Sequence, residues 1–163
     1  MAAIVMNPIG TICTPYRTVE EMPIQPIGAA AAQGKIVLEA AYAEGLDDIE
    51  GFSHLILIYQ FHRAKGFDLK VKPFLDDQVH GLFATRAPRR PNPIGLSVVP
   101  LLRREGNLLW VGAIDVLDGT PLLDIKPFVP DFDAPAVTSI GWLTGKKRQA
   151  EKVRSDRRFA PSG

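Results

Sequence analysis

The sequence predicts a mainly β fold, a sheet or barrel built from short strands. Three observations carry that expectation. Short apolar, β-branched segments recur along the chain, punctuated by Pro, Gly and Asp-Gly turn signals. No long amphipathic helical pattern interrupts them in the body of the chain. With 163 residues, 46% hydrophobic and 23% charged, the chain suits one globular domain with a real core.

The elements follow in order. Ile9 to Cys13 reads as a strand ended by Pro15, and Thr14 to Pro26 as a polar loop with three prolines. Lys35 to Ala40 is a second strand. Glu44 to Gly51 has turn or short-helix character, because Leu46 and Ile49 lie three apart and Gly51 can stop the turn. Ser53 to His62 is so apolar that it reads as a strand buried on both faces. Lys65 to Asp77 is a loop. Leu82 to Thr85 and Ile94 to Val99 read as strands flanking a stiff connection, Arg86 to Pro93. Val98 to Arg103 passes through the hairpin signal Glu105-Gly106-Asn107 into Leu108 to Val116. Asp118-Gly119-Thr120 then turns into a last strand, Pro121 to Ile125. Only Trp142 to Phe159 has room for a helix of some length. The expected division is a β domain over residues 1–140 and a C-terminal helix or tail over 141–163.

Charge is unevenly spread. Seven basic residues between Lys146 and Arg158 stand against Glu151 and Asp156, a local charge of +5 on a chain whose net charge is +1, so the remainder carries −4. The tail reads either as a solvated terminus or as a contact for RNA phosphates. The stretch Gly81 to Ser97 holds Arg86, Arg89 and Arg90 among three prolines. A merely solvated turn has no need of such stiffness, whereas a loop that presents cations to an anionic or planar ligand does. Leu117 to Thr120 reads as an ordinary tight turn or as a loop whose backbone meets a ligand, with Gly119 permitting close approach.

Several chemistries are disfavoured. Cys13 is the single cysteine, so neither an internal disulfide nor a cysteine-based zinc site is expected. His54 and His62, eight apart on one expected strand, would share a face about 26 Å apart, too far to share a metal. His62 sits at the strand end, where a ligand mouth could lie. The sequence has no Gly-x-Ser-x-Gly elbow, Walker loop or Gly-x-Gly-x-x-Gly fingerprint. No apolar run is long enough for a membrane helix, and the N-terminus has no secretory pattern, so the expected compartment is the cytoplasm.

Ile9-Gly-Thr-Ile-Cys-Thr-Pro-Tyr16, Gln25-Pro26, Gly51-Phe-Ser-His-Leu55, Phe83-Ala-Thr-Arg86, Arg90-Pro-Asn-Pro-Ile-Gly95, Asp118-Gly-Thr-Pro121 and Asp124-Ile-Lys-Pro127 occur in this order. Over residues 7–132 the chain resembles the TrmO (TsaA-like) family. That resemblance implies a small, non-Rossmann β-barrel, a homodimer, and S-adenosylmethionine-dependent methylation of the exocyclic amine of threonylcarbamoyl-adenosine in threonine tRNA. It implies cofactor contacts from Pro26, Ile27, Gly28, His62, Arg63, Arg86, Leu96, Leu117, Asp118, Gly119 and Thr120, and no metal. Because methyl transfer is an in-line displacement, alignment does most of the work, no strong base is required, and Asp118 or a backbone carbonyl is the candidate proton acceptor. Arg89, Arg90, Lys146, Lys147 and Arg148 are the candidate RNA contacts. Longer members carry a C-terminal domain that helps hold tRNA, and the basic tail is the expected substitute here.

Overall fold

The computed structural model describes residues 2–23 and 32–146. Among these, six strands close into an antiparallel barrel in the order β1-β2-β7-β6-β3-β8. They are β1 (Gly10–Cys13), β2 (Gly34–Leu38), β3 (His54–Gln60), β6 (Ile94–Glu105), β7 (Leu108–Val111) and β8 (Thr120–Pro127). A separate two-stranded ladder pairs β4 (Lys70–Val71) with β5 (His80–Gly81). Two-residue alternation puts Ile12, Ile36, Leu38, Leu55, Leu57, Val99, Leu109, Val111 and Leu122 inside the barrel, each almost wholly buried. Gly10 is required by closure: a Cβ there would lie 2.5 Å from the Val37 carbonyl oxygen of the neighbouring strand.

The structure corrects several expectations. Leu82 to Thr85 is no strand. Leu82–Ala84 is a 3₁₀ turn, held by the Thr85 hydroxyl donating to the Leu82 carbonyl (2.7 Å) and by burial of Leu82. Residues 65–77, read as a loop, contain β4. The two segments expected at Ile94 to Arg103 are one strand, β6. Pro100 sits in its middle, where pairing passes from β3 (His54↔Pro100) to β7 (Leu101↔Val111) and the register shifts.

β7 stops at Val111 rather than Val116. Residues 112–119 form a loop, with Ala113 in the left-handed region (φ 47°), that still buries Ile114 and Val116. Apolar burial in a loop mimics a strand in the sequence. β3 ends at Gln60, so His62 lies in the following turn, its amide on the Gln60 carbonyl, and does not share a strand face with His54. β3 is buried on its inner face only, with Ile56 and Ile58 half-buried outside.

The short-helix reading of residues 44–51 holds as 3₁₀ turns at Ala40–Leu46 and Ile49–Gly51. A four-residue helix, α1 (Pro130–Asp133), was not foreseen. Of the expected helix from Trp142, the described part is a 3₁₀ turn, Gly141–Leu143, and the rest lies outside the described residues. Among the described residues no helix is long and apolar enough to cross a membrane, and no three His, Cys, Asp or Glu side chains are grouped to hold a metal ion.

Candidate functional site

Strand register decides which loops meet. Cys13 pairs with Lys35 and Ile12 with Thr120, while Gln60 pairs with Ile94 and Gly34 with Val111. The C-terminal ends of β1, β3 and β7 therefore share one end of the barrel with the N-terminal ends of β2, β6 and β8. The connections 61–93 and 112–119 and the described residues 14–23 and 32–33 all emerge there. Most of the candidate site residues are on these connections or beside them, so segments far apart in sequence become neighbours.

His62, Leu117 and Thr120 form one linked group. The Thr120 hydroxyl donates to the Leu117 carbonyl (2.7 Å), so toward His62 Nδ1 (3.3 Å) it can only accept. The Nδ1 position therefore carries the proton, and Nε2 accepts from Arg63 Nε (3.4 Å). Burial, then the Arg63 charge, lowers the His62 pKa and favours the neutral imidazole. Gly119 has φ +74°, which a glycine adopts without strain.

Asp118 has a structural task. Its Oδ1 accepts the Thr14 amide (2.9 Å) and its Oδ2 faces Arg17 (3.7 Å), while its own amide donates to the Tyr16 carbonyl. It ties the 112–119 loop to the end of β1.

Arg86 lies after the 3₁₀ turn and lines a cleft of about 460 Å³ with Ile56, Leu96, Ser97, Val98, Phe128 and Asp133. Ile56, Leu96 and Val98 are on the outer faces of β3 and β6, which gives the cleft an apolar wall, and Arg86 and Asp133 give it charges of both signs. The inner side of the same strands holds a polar chain that sequence reasoning missed. Tyr59 Oη is 3.0 Å from Ser97 Oγ, and Ser97 Oγ donates to Asp115 Oδ1 at 2.6 Å. Burial pushes the Asp115 carboxyl up to about 6, against the pull of the Ser97 hydrogen bond and the Arg86 charge. Burial, with the Asp115 charge, also pushes the Tyr59 phenol up. In the sequence Asp115 stands inside an apolar run that reads as strand, and no motif marks it.

The remaining arginines hold their own loop. Arg89 donates to the Lys65 carbonyl (3.1 Å) and faces Asp68 (3.4 Å). Arg90 donates to the carbonyls of Thr85 and Ala87 and lies over the Phe83 ring. Lys146 is engaged too: its ammonium is 2.7 Å from Asp76 Oδ1, and Asp76 Oδ2 accepts from His80 Nε2 (2.9 Å). Those partners, Lys146 foremost, hold the Asp76 carboxyl well below the usual carboxylate range. His80 stacks on Trp142 (centroids 4.6 Å apart, 19° between planes), and Trp142 Nε1 donates to the Ala84 carbonyl (2.8 Å). Residues 141–146 are thus clamped beside the turn that leads to Arg86. Pro26, Ile27 and Gly28, and Lys147 and Arg148, lie outside the described residues.

Residues 11–134 match the family model of the tRNA-methyltransferase O N-terminal domain. A Pyrococcus abyssi protein, named as a probable S-adenosyl-L-methionine-binding protein, is 52% identical over 153 residues, covering 94% of this chain and 83% of that protein. A mouse tRNA (adenine(37)-N6)-methyltransferase is 40% identical over 95 residues, 56% of this chain and 22% of that one. The crystal structure of TrmO from Pseudomonas aeruginosa superposes with a TM-score of 0.73 at 40% identity, covering 86% of this chain. This chain covers 63% of that structure's length.

Proposed function

The chain belongs to the tRNA-methyltransferase O N-terminal domain family, and on that premise we propose that it is an S-adenosylmethionine-dependent tRNA methyltransferase. The observation that supports this reading is that His62, Arg63, Leu96 and the 117–120 loop lie at or near one end of the barrel, with Arg86 beside Leu96 in the cleft. The chemistry present fits the cofactor. Arg86 offers a cation for its carboxylate, and the Ile56, Leu96 and Val98 wall offers apolar cover for a purine. The backbone of Leu117 to Thr120, steadied by Thr120 and Asp118, can approach the ligand closely at Gly119. When bound, the cofactor supplies an electrophilic sulfonium methyl group. The protein's part is to align the acceptor nitrogen, exclude water and take up a proton.

The finer reading has the exocyclic amine of threonylcarbamoyl-adenosine, beside the anticodon of threonine tRNA, as acceptor. The name of the mouse relative supports an adenine N6 target. In this reading residues 1–140 are the catalytic barrel and 141–163 a basic tail for RNA, in a homodimer acting in the cytoplasm without a metal. Arg89, Arg90 and Lys146 are bound within the chain, so phosphate contact falls more to Lys147, Arg148 and the basic residues beyond them. Nucleoside analysis of tRNA from cells with and without the gene tests it. Methylated threonylcarbamoyl-adenosine should vanish in the deletion, and its persistence would refute the assignment. A second reading, a cofactor-binding module without a tRNA target, is favoured by the name of the Pyrococcus relative. It predicts cofactor binding by calorimetry with unchanged tRNA nucleosides.

A further inference from the structure

Asp115 is a carboxylate in an expensive place. It is partly enclosed at the loop end of the barrel, and a desolvated carboxylate weakens a fold unless it is matched by partners or put to use. The hydrogen bonds around it have one possible polarity. Ser97 spends its single proton on Asp115 Oδ1, so it must accept from the Tyr59 hydroxyl. The chain runs from Tyr59 on β3 through Ser97 on β6 to Asp115 on the 112–119 loop. It orients Oδ1, and the carboxyl also accepts a hydrogen bond from its own backbone amide.

The other carboxylates near the site are engaged. Asp118 holds the Thr14 amide and faces Arg17, and Asp133 accepts the Val129 amide at the end of α1. His62 has both ring nitrogens engaged. Asp115 is partly exposed at the loop end of the barrel, on the inner side of the sheet whose outer face carries the cleft, and Arg86, which lines that cleft, acts on it electrostatically. It stands two residues before the 117–120 loop.

Resting on the methyl-transfer reading above, we propose that Asp115 is the proton acceptor of the reaction, oriented by Ser97 and Tyr59 and set near Arg86. The acceptor nitrogen forms its bond to the methyl carbon as the carbon–sulfur bond breaks. The bonding pair stays on sulfur, which changes from cation to neutral thioether. The nitrogen's proton passes to the Asp115 carboxylate, which changes from anion to neutral acid, so charge and atoms balance. Burial raises its pKa against Ser97 from β6, its own backbone amide and Arg86 from the connection after β5, and Tyr59 from β3 stands behind Ser97. A carboxyl that titrates near 6 is a base at neutral pH and is silenced by mild acid.

The test uses the full chain, S-adenosylmethionine, and tRNA from cells lacking the gene. Asp115→Asn should bind S-adenosylmethionine within about threefold of the parent by calorimetry, while methyl transfer falls about 100-fold or more. The parent's rate should rise with pH through about 6, and that limb should be missing in Asp115→Asn. Ser97→Ala keeps the carboxylate but removes the hydrogen bond that stabilises its charge. It should therefore shift the limb upward, together with the Asp115 carboxyl titration seen by NMR in the ligand-free protein. If Asp115→Asn transfers methyl groups at the parental rate, or Ser97→Ala leaves both titrations in place, the assignment of Asp115 is overturned and the methyltransferase reading stands. If the parent itself transfers no methyl group to this tRNA, both fall.

Discussion

Arg86 and Asp115 are opposite charges placed at one barrel end for different reasons, and each gives a distinct prediction. As the cation of the cleft, Arg86 should account for a charge-assisted contact with the cofactor's carboxylate. Arg86→Ala should weaken S-adenosylmethionine binding about tenfold or more by calorimetry, and unaltered affinity would remove it from the site. Asp115 affects stability as well as chemistry. Its folded-state pKa of about 6 exceeds the ordinary aspartate value of 3.8, so the native state holds a proton that the unfolded chain releases. Stability therefore falls as pH rises from about 4 to 6, and the full cost is present above that window. Asp115→Asn should raise stability at pH 8 by at most about 3 kcal/mol and by almost nothing at pH 4, measured by urea unfolding. The expected variant is sturdier and less active. Of these two residues only Arg86 was legible in the sequence, because a cation in a proline-stiffened loop stands out by composition. Asp115 was not: its role comes from Ser97 and Tyr59, which only strand pairing brings to it.

Among the elements, β6 shows what a sequence can conceal. Pro93, Gly95 and Pro100 argue for interruption, yet the strand runs unbroken from Ile94 to Glu105. Gly95 is needed because a Cβ there would run into the rings of Tyr59 and Phe61, which themselves pack edge to face 5.5 Å apart. Gly95→Ala should cost about 1–3 kcal/mol in denaturant unfolding and disturb the Tyr59–Ser97 hydrogen bond. The reverse error occurs at residues 112–119 and at Leu82–Ala84, where buried apolar side chains gave loops and turns the look of strands. Burial follows tertiary position, and periodicity alone does not separate the two cases. The clamp of Trp142, His80, Asp76 and Lys146 was also invisible, because its members come from two segments far apart in sequence. Trp142→Ala should loosen residues 141–146 and the turn before Arg86, seen as faster amide exchange at Leu82 to Arg86 with little change in the barrel strands.

For the whole molecule, the mainly β class and the barrel were readable from strand spacing and family motifs. Which end of the barrel carries the site was not, since that depends on register. The basic tail beyond Lys146 belongs to this scale, because its effect is one of long-range charge. Removing residues 147–163 should weaken tRNA binding and flatten its dependence on salt, with cofactor affinity unchanged. A salt slope identical to that of the full chain would leave the tail no electrostatic part in RNA binding.

Closure of the ring has a consequence for company. Each of the six barrel strands already has a neighbour on both sides, so no edge is left to template a seventh strand from another chain. Among the described residues, the barrel sheet cannot be extended by a second copy, and only the β4–β5 ladder is not closed. At the barrel, any partner, a second subunit or an RNA, must be met by side chains and loops, which can change without unpicking the ladder that holds the molecule together.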